Sequence, residues 1–389
     1  ARLVGSEMCI RDRLIRIADE TGTAVVPQSG NTGLVGGQIP FEHGSEVVLS
    51  LDRMKTIRDV DPVDNSITVE AGVTLQQVQD AASDVDRMFP LNLASQGSCC
   101  IGGNLATNAG GIGVLAYGNA RQLCLGLEVV LADGRIWNGL RRLHKDNTGY
   151  DLKDMFIGSE GTLGIITGAA LKLYPATRDK AIAWTAVPDP QAALALLEIA
   201  RGNSSGEVTA MEIVPRLGVE ITIKHAQTID PLNDAYDWYA LLELSGQGAP
   251  GTLMTDMERV LELAFEAGMV LDGVIAASET QANEIWRIRE ALSDVQRLEG
   301  GSIKHDVAVP VSRAPELIER ATSAVTDLVP GARPIPFGHL GDGNIHFNVS
   351  QPVDADKDDF LTNWESMNEV VHAIVGELGG TISAEHGIG

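Results

Sequence analysis

Hydrophobic positions recur along the chain at two periods, and each change of period marks a change of element. Leu14–Glu20 carries an amphipathic helical pattern that ends near Gly22, and Thr23–Pro27 follows as a short β-rich run. Val47–Leu51 and Ser66–Val69 read as strands, the second alternating apolar and polar residues. Thr74 suits the N-cap of a helix reaching about Ser83, in which Leu75, Val78 and Ala82 share one face. Leu125–Leu131 is an apolar strand closed by the turn Ala132–Gly134, and Gly158–Thr167 joins two tight-turn glycines to a buried strand. Pro175 and the charged Arg178–Lys180 mark a boundary. Beyond it the pattern predicts a helix at Gln191–Arg201, a strand at Tyr239–Leu244, and a helix at Asp256–Ala267 with Leu261 and Phe265 inward. A charged helix follows at Gln281–Glu299, then a strand at Ser302–Val309. Last comes a hairpin of Phe337–Leu340 and Ile345–Val349 turning at Asp342–Gly343. Short strands alternating with short helices give an α+β chain and not a doubly wound sheet. No internal repeat is present. Residues 1–13 show no clear period: they read either as foreign sequence joined to the chain or as a frayed, disordered terminus. Two domains are expected, 14–176 and 177–389.

Composition narrows the function classes. A chain of 389 residues favours two domains over one, and 44% hydrophobic residues suffice for a sizeable core. Twenty-nine Lys and Arg against 53 Asp and Glu give a net charge of −24, which argues against nucleic acid or an anionic membrane as partner. An anionic substrate would need a site that is locally basic against that field. The four cysteines show neither metal spacing nor a disulfide framework. No apolar run is long enough to span a bilayer and no signal peptide is evident, so a soluble protein of a reducing compartment is expected.

Two stretches concentrate small residues. Gly97–Gly111, GSCCIGGNLATNAGG, interleaves five glycines with Asn104 and Asn108, allowing close backbone approach to a ligand and side-chain amides to fix it. Pro27–Gly37, PQSGNTGLVGG, offers closely spaced backbone N–H groups suited to a pyrophosphate, although alone it reads equally as a turn-rich loop. Neither has the GxGxxG spacing of a Rossmann nucleotide site.

Candidate side-chain chemistry lies in the second half. An inward Arg289 on the charged helix could pair bidentately with a carboxylate, against the alternative of a solvated helix face. In FGHLGDGNIHFNV, His346 and Asn348 are two apart on one strand and share a face, which His339 can reach across the turn. SAEHGIG near the end adds Glu385 and His386. Two histidines and a carboxylate leave coordination positions open, as a catalytic divalent metal requires; packed strand histidines are the alternative.

Pro27–Gly37, Gly97–Gly111 and Gly158–Thr167, in this order and at these intervals, resemble the flavin domain of the vanillyl-alcohol oxidase/p-cresol methylhydroxylase family. The resemblance implies a two-part FAD-binding domain holding FAD. Pro27, Ser29, Gly30, Asn31, Thr32, Gly33 and Leu34 would lie around the pyrophosphate. Pro90, Gly97, Ser98, Gly102, Gly103, Asn104, Thr107 and Asn108 would bind along the flavin and adenosine, and Gly161 and Ile166 would close the pocket. Asn31 and Thr32 stand where some relatives carry a flavin-linking histidine, so non-covalent FAD is expected.

The second half resembles the FAD-linked oxidase C-terminal domain of D-2-hydroxyacid dehydrogenases, a ferredoxin-like substrate or cap domain. That resemblance implies zinc or manganese on His339, His346 and Glu385, His386 as base, Asn348 as a substrate or flavin contact, and Arg289 and Lys304 on substrate carboxylates. It further implies hydride transfer to flavin N5 from a D-2-hydroxy acid. A second cation favours D-2-hydroxyglutarate, oxidised to 2-oxoglutarate, over D-lactate or glycolate. The electron acceptor is left between an electron-transfer flavoprotein and a quinone, a homodimer is open, and the compartment is the bacterial cytoplasm or the mitochondrial matrix. The family extends both upstream of Leu14 and past Gly389, so the chain is expected to be a fragment.

Overall fold

The computed structural model describes residues 2–4 and 8–389, with side chains from Arg13 onward. The reading of residues 1–13 as foreign or frayed lies in part outside the described residues. Within them, Arg2–Val4 pairs in parallel with Val48–Ser50, and one helix runs Met8–Thr21, starting six residues before the expected Leu14. The chain divides into two units, Ala1–Ala176 with Glu385–Gly389, and Thr177–Ala384.

The first unit holds two main sheets. Arg2–Val4, Val47–Ser50 and Val25–Gln28 form a parallel sheet in that order. Ile57–Asp61, Ser66–Glu70, Ile165–Lys172, Cys124–Val130 and Ile136–Gly139 form an antiparallel one. Alternation along these strands turns Ile67, Val69, Leu127, Val129, Ala169 and Leu171 into one core with Leu75, Val78 and Ala82 of the helix Leu75–Ser83. Each Val, Leu or Ile among them contributes about 1.5–3 kcal/mol by leaving water. Thr74 caps that helix as its sequence predicts: its side chain accepts from Gln77 N, and the Gln77 side chain accepts from Thr74 N.

In the second unit, Glu207–Pro215, Trp238–Gly246, Asp179–Val187 and Asp272–Ile275 form a four-stranded antiparallel sheet in that order. In chain order this is 2-3-1-4, with helices Pro190–Asn203 and Thr252–Glu266 as crossovers, the ferredoxin-like arrangement. A second sheet is centred on Asn344–Ser350, paired with Arg333–Phe337 on one side and with Ser302–Ile303 and Asp306–Ala308 on the other. An isolated bridge between Ile213 and Gly338 joins the two sheets. That bridge brings a strand from one sheet to the hairpin of the other, and the chemistry described below gathers there.

Two expectations need correction. Phe265 is 43% exposed, because the buried stripe of its helix runs through Leu253, Met257, Val260, Leu261 and Ala264 and position 265 has rotated off it. The single strand Ser302–Val309 is two strands broken at Lys304–His305. The register continues across the break, from Ile303 opposite Val349 to Asp306 opposite His346. The Phe347 carbonyl, however, is engaged by His305 Nδ1 at 2.8 Å.

Candidate active site

In the first unit the three glycine-bearing loops converge. A Cβ on Gly30 would meet the Ser98 carbonyl and lie 2.9 Å from Cys99 Cα, so only glycine lets the first loop press on the second. Gly103 lies against Ser29, and a Cβ on Gly161 would lie 2.7 Å from Pro27 Cγ, which brings the third loop to the first. The third loop is also tied to the second by Gly158 N to Leu105 O at 3.0 Å and Glu160 N to Ala106 O at 2.9 Å. Asn31, Asn108 and Glu160, one in each loop, hold left-handed backbone with φ of 54°, 53° and 52°. Strain gathered this way is typical of ligand clamps. Within the cradle Asn104 is buried, and its side-chain Nδ2 has no hydrogen-bond partner. A buried amide donor left without a partner costs about 1–3 kcal/mol, which a cofactor acceptor would restore. The residues present therefore fit a dinucleotide flavin. Ile166 is buried behind the cradle, whereas Leu34 is 75% exposed. Pro90 lies near Gly113, where a Cβ would stand 2.6 Å from the Pro90 carbonyl. Thr107 Oγ1 donates to Gly103 O. Glu385 belongs to this unit and accepts the Gly111 N–H at 2.6 Å; Glu160 accepts from Ile388 N and Gly389 N.

The second unit assembles side chains instead. His339 and His346 lie with ring centroids 5.4 Å apart, one just past the strand Arg333–Phe337 and the other within Asn344–Ser350. His339 Nδ1 is 2.8 Å from Glu212 Oε1, and Arg289 Nε donates to Glu212 Oε2 at 2.5 Å. Burial would push the Glu212 carboxyl up, but the adjoining His339 and Arg289 charges and their hydrogen bonds outweigh it and hold it well below the usual carboxylate range. An ionised carboxylate only accepts, so His339 Nδ1 donates to it, and Arg289 Nη2 lies 3.4 Å from His339 Nε2. Arg289 also stacks over Phe337, 4.9 Å from the ring centroid. His346 Nδ1 is 3.5 Å from Asp306 Oδ1, which in turn accepts from Asn344 Nδ2 at 2.9 Å.

The remaining expected residues divide. Arg289 is inward and not on a solvated helix face, but its Nε is committed to Glu212 rather than directed at a ligand. Asn348 is buried, with Nδ2 donating to Gln296 Oε1 at 2.8 Å. Lys304 is exposed at the strand break, and His386 lies in the first unit with Glu385. Glu212, Asp306 and Gln296 were not anticipated from sequence. A signal for Glu212 existed: it is the lone acid in the middle of VTAMEIVP, a strand too apolar to carry a carboxylate without a buried partner.

These features define a two-unit α+β protein whose first unit has a glycine-walled cradle and whose second has an imidazole–carboxylate centre. The FAD binding domain family matches residues 12–139, and the family of FAD linked oxidases, C-terminal domain, matches residues 176–389. The chain is 37% identical over 384 residues to the probable mitochondrial D-2-hydroxyglutarate dehydrogenase of Oryza sativa subsp. indica, covering 97% of this chain and 66% of that protein. It is 36% identical to the mitochondrial D-2-hydroxyglutarate dehydrogenase of Rattus norvegicus, with 97% and 68% covered. It thus spans about two thirds of the length of these relatives. A solved structure of p-cresol methylhydroxylase with substrate bound shares the fold at TM-score 0.76 and 18% identity, over 99% of this chain and 81% of that one. Alkyldihydroxyacetonephosphate synthase does so at 0.73 and 17%, over 98% and 72%. The chain belongs to the FAD-linked oxidase family. Among the described residues, no helix is long and apolar enough to cross a membrane.

Proposed function

We propose that this protein is an FAD-dependent dehydrogenase that oxidises a D-2-hydroxy acid, with D-2-hydroxyglutarate, giving 2-oxoglutarate, as the favoured substrate. The observation that carries the reading is the pair His339 and His346, 5.4 Å apart, in a chain whose first unit also has a glycine-walled cradle with an unsatisfied Asn104 amide. Similarity to relatives named D-2-hydroxyglutarate dehydrogenase supports the substrate class.

His339, His346 and Glu385 would hold a divalent metal, zinc or manganese. Bound FAD would supply the two-electron acceptor and the metal a Lewis acid toward the substrate hydroxyl and carboxylate. His386 takes the hydroxyl proton as general base. Arg289 supplies the N–H donors that its pairing with Glu212 leaves, and the exposed Lys304 ammonium attracts the second carboxylate. Asn348 is held by Gln296 in one orientation toward substrate or flavin. Electrons then pass to an electron-transfer flavoprotein or a quinone.

The test is anaerobic flavin bleaching of FAD-reconstituted protein with D-2-hydroxyglutarate, D-lactate, glycolate and the L-acids, before and after EDTA. Bleaching by the D-dicarboxylate, lost with EDTA and restored by zinc or manganese, is expected. Bleaching by D-lactate alone would keep the chemistry and overturn the substrate, and bleaching untouched by EDTA would remove the metal.

A further inference from the structure

Behind the two imidazoles stand two carboxylates that the proposed chemistry does not consume. Glu212 is 1% exposed and comes from the middle of a strand 127 residues upstream of His339. Its two oxygens are divided: Oε1 faces His339 Nδ1 at 2.8 Å, and Oε2 accepts from Arg289 Nε at 2.5 Å. Asp306 stands toward His346 Nδ1 in the same sense but at 3.5 Å. Burying an anion this deeply is unfavourable unless it is paired and hydrogen-bonded, and each Glu212 oxygen has a fixed partner. A ring nitrogen that donates to a carboxylate fixes which nitrogen is left to ligate, and it makes that nitrogen more basic.

We propose that Glu212 is a positioning residue: it locks His339 in the tautomer protonated at Nδ1, so that Nε2 ligates a divalent metal, while Arg289 holds the carboxylate in place. This rests on the metal reading above, and it makes a chemical forecast that a merely structural carboxylate does not. Arg289 is a donor only, with no acceptor atom. In Glu212→Gln the single amide oxygen is therefore claimed by Arg289, and the amide NH2 turns to His339 Nδ1. The donor now offered to Nδ1 at the 2.8 Å position outweighs the longer 3.4 Å contact of Arg289 Nη2 at Nε2, so Nδ1 accepts, the proton moves to Nε2, and the ligating lone pair is lost with almost no change in side-chain volume. Glu212→Asp keeps both oxygens as acceptors and should keep the tautomer.

The experiment has one arm without metal and one with it. In chelator-treated, histidine-15N-labelled protein, long-range proton–nitrogen spectra report which His339 nitrogen is protonated, with His339→Gln used to assign the signal. Expected are Nδ1–H in the parent and in Glu212→Asp, and Nε2–H in Glu212→Gln. Free Mn(II), followed by electron paramagnetic resonance during titration of the FAD-loaded protein, should show affinity about 10- to 100-fold weaker for Glu212→Gln. Glu243→Gln, a buried carboxylate of the neighbouring strand bonded to Trp286 and Thr209, is the control and should leave Mn(II) affinity unchanged. Nε2–H in the parent, or unaltered Mn(II) affinity in Glu212→Gln, overturns the proposal. Parent protein with the Nδ1–H tautomer but no Mn(II) binding would instead sink the metal reading and leave the role of Glu212 in setting the tautomer intact. If Glu212→Gln does not fold, the parent tautomer and the Glu212→Asp titration still decide.

Discussion

The two candidate binding regions are built from opposite materials. The cradle of the first unit is made of missing side chains: Gly30 and Gly161 let three loops meet where a Cβ would collide or crowd, with Gly103 in ordinary contact beside them. The centre of the second unit is made of side chains brought from far apart, with residues 212, 289 and 339 tied by short charge-assisted bonds and His346 edge-on to His339. The first arrangement stores its information locally and the second stores it in pairings. Damage should therefore propagate differently in the two, and substitutions can show whether it does.

The largest effect is expected from Arg289→Met. It leaves Glu212 buried with one partner instead of two, and removing one member of a buried ion pair costs about 3–5 kcal/mol. Four of the five tryptophans, at 184, 238, 286 and 364, lie in the second unit, so fluorescence-detected urea unfolding reads it directly. A loss below about 1 kcal/mol would mean that the pairing does not hold the second unit together, and the contrast drawn here would fail.

Next is a pH effect confined to the same unit. His305 is buried, bonded through Nδ1 to Phe347 O, and sits edge-on to His372 at 5.8 Å between ring centroids. Burial pushes its pKa down to about 4, with His372 adding to the shift and the Phe347 bond opposing it. The unfolded chain therefore binds the proton first as pH falls below about 6.5, and stability declines until folded His305 itself protonates near 4. The full shift corresponds to about 3 kcal/mol. His305→Phe should flatten this limb between pH 6.5 and 4 while costing about 1 kcal/mol at neutral pH for the lost hydrogen bond. A limb of unchanged slope in the variant would assign the acid sensitivity to other groups.

The same contrast explains what could be read from sequence. The cradle was legible because its glycine strings are contiguous: GSCCIGGNLATNAGG and PQSGNTGLVGG announce themselves without reference to anything else. Strand and helix positions followed from period, as with Leu75, Val78 and Ala82, all fully buried. His339 and His346 were visible as a pair because a short hairpin separates them. Glu212 was passed over because its meaning lies in Arg289 and His339, 77 and 127 positions away, and no local period encodes that. Phe265 was misplaced by a related limit, since a helical face drifts from residue to residue and the last turn decides on which side a large ring falls. The break at Lys304–His305 turned on one imidazole reaching one carbonyl.

In the cradle the effects are smaller and separate packing from ligand contact. Gly30→Ala forces a Cβ against the Ser98 carbonyl and Cys99 Cα, both backbone, so the loops must part. A destabilisation of about 1–3 kcal/mol is expected, together with weakened FAD binding in a fluorescence titration. Unchanged stability would show that the first two loops need not touch.

Gly97→Ala is the sharpest companion, because a Cβ there meets nothing within 4 Å and the residue does not hold left-handed backbone. Stability without FAD should stay within about 0.5 kcal/mol of the parent. Any change that appears only in FAD affinity then comes from a methyl group standing where the cofactor lies, and not from the loops themselves. If neither stability nor FAD affinity moves, Gly97 leaves the set of cofactor contacts and the cradle contracts to the Gly30, Gly103 and Gly161 junctions. If stability falls by as much as in Gly30→Ala, the open space at Gly97 is filled by a loop movement, and the cradle is less rigid than its glycine contacts imply.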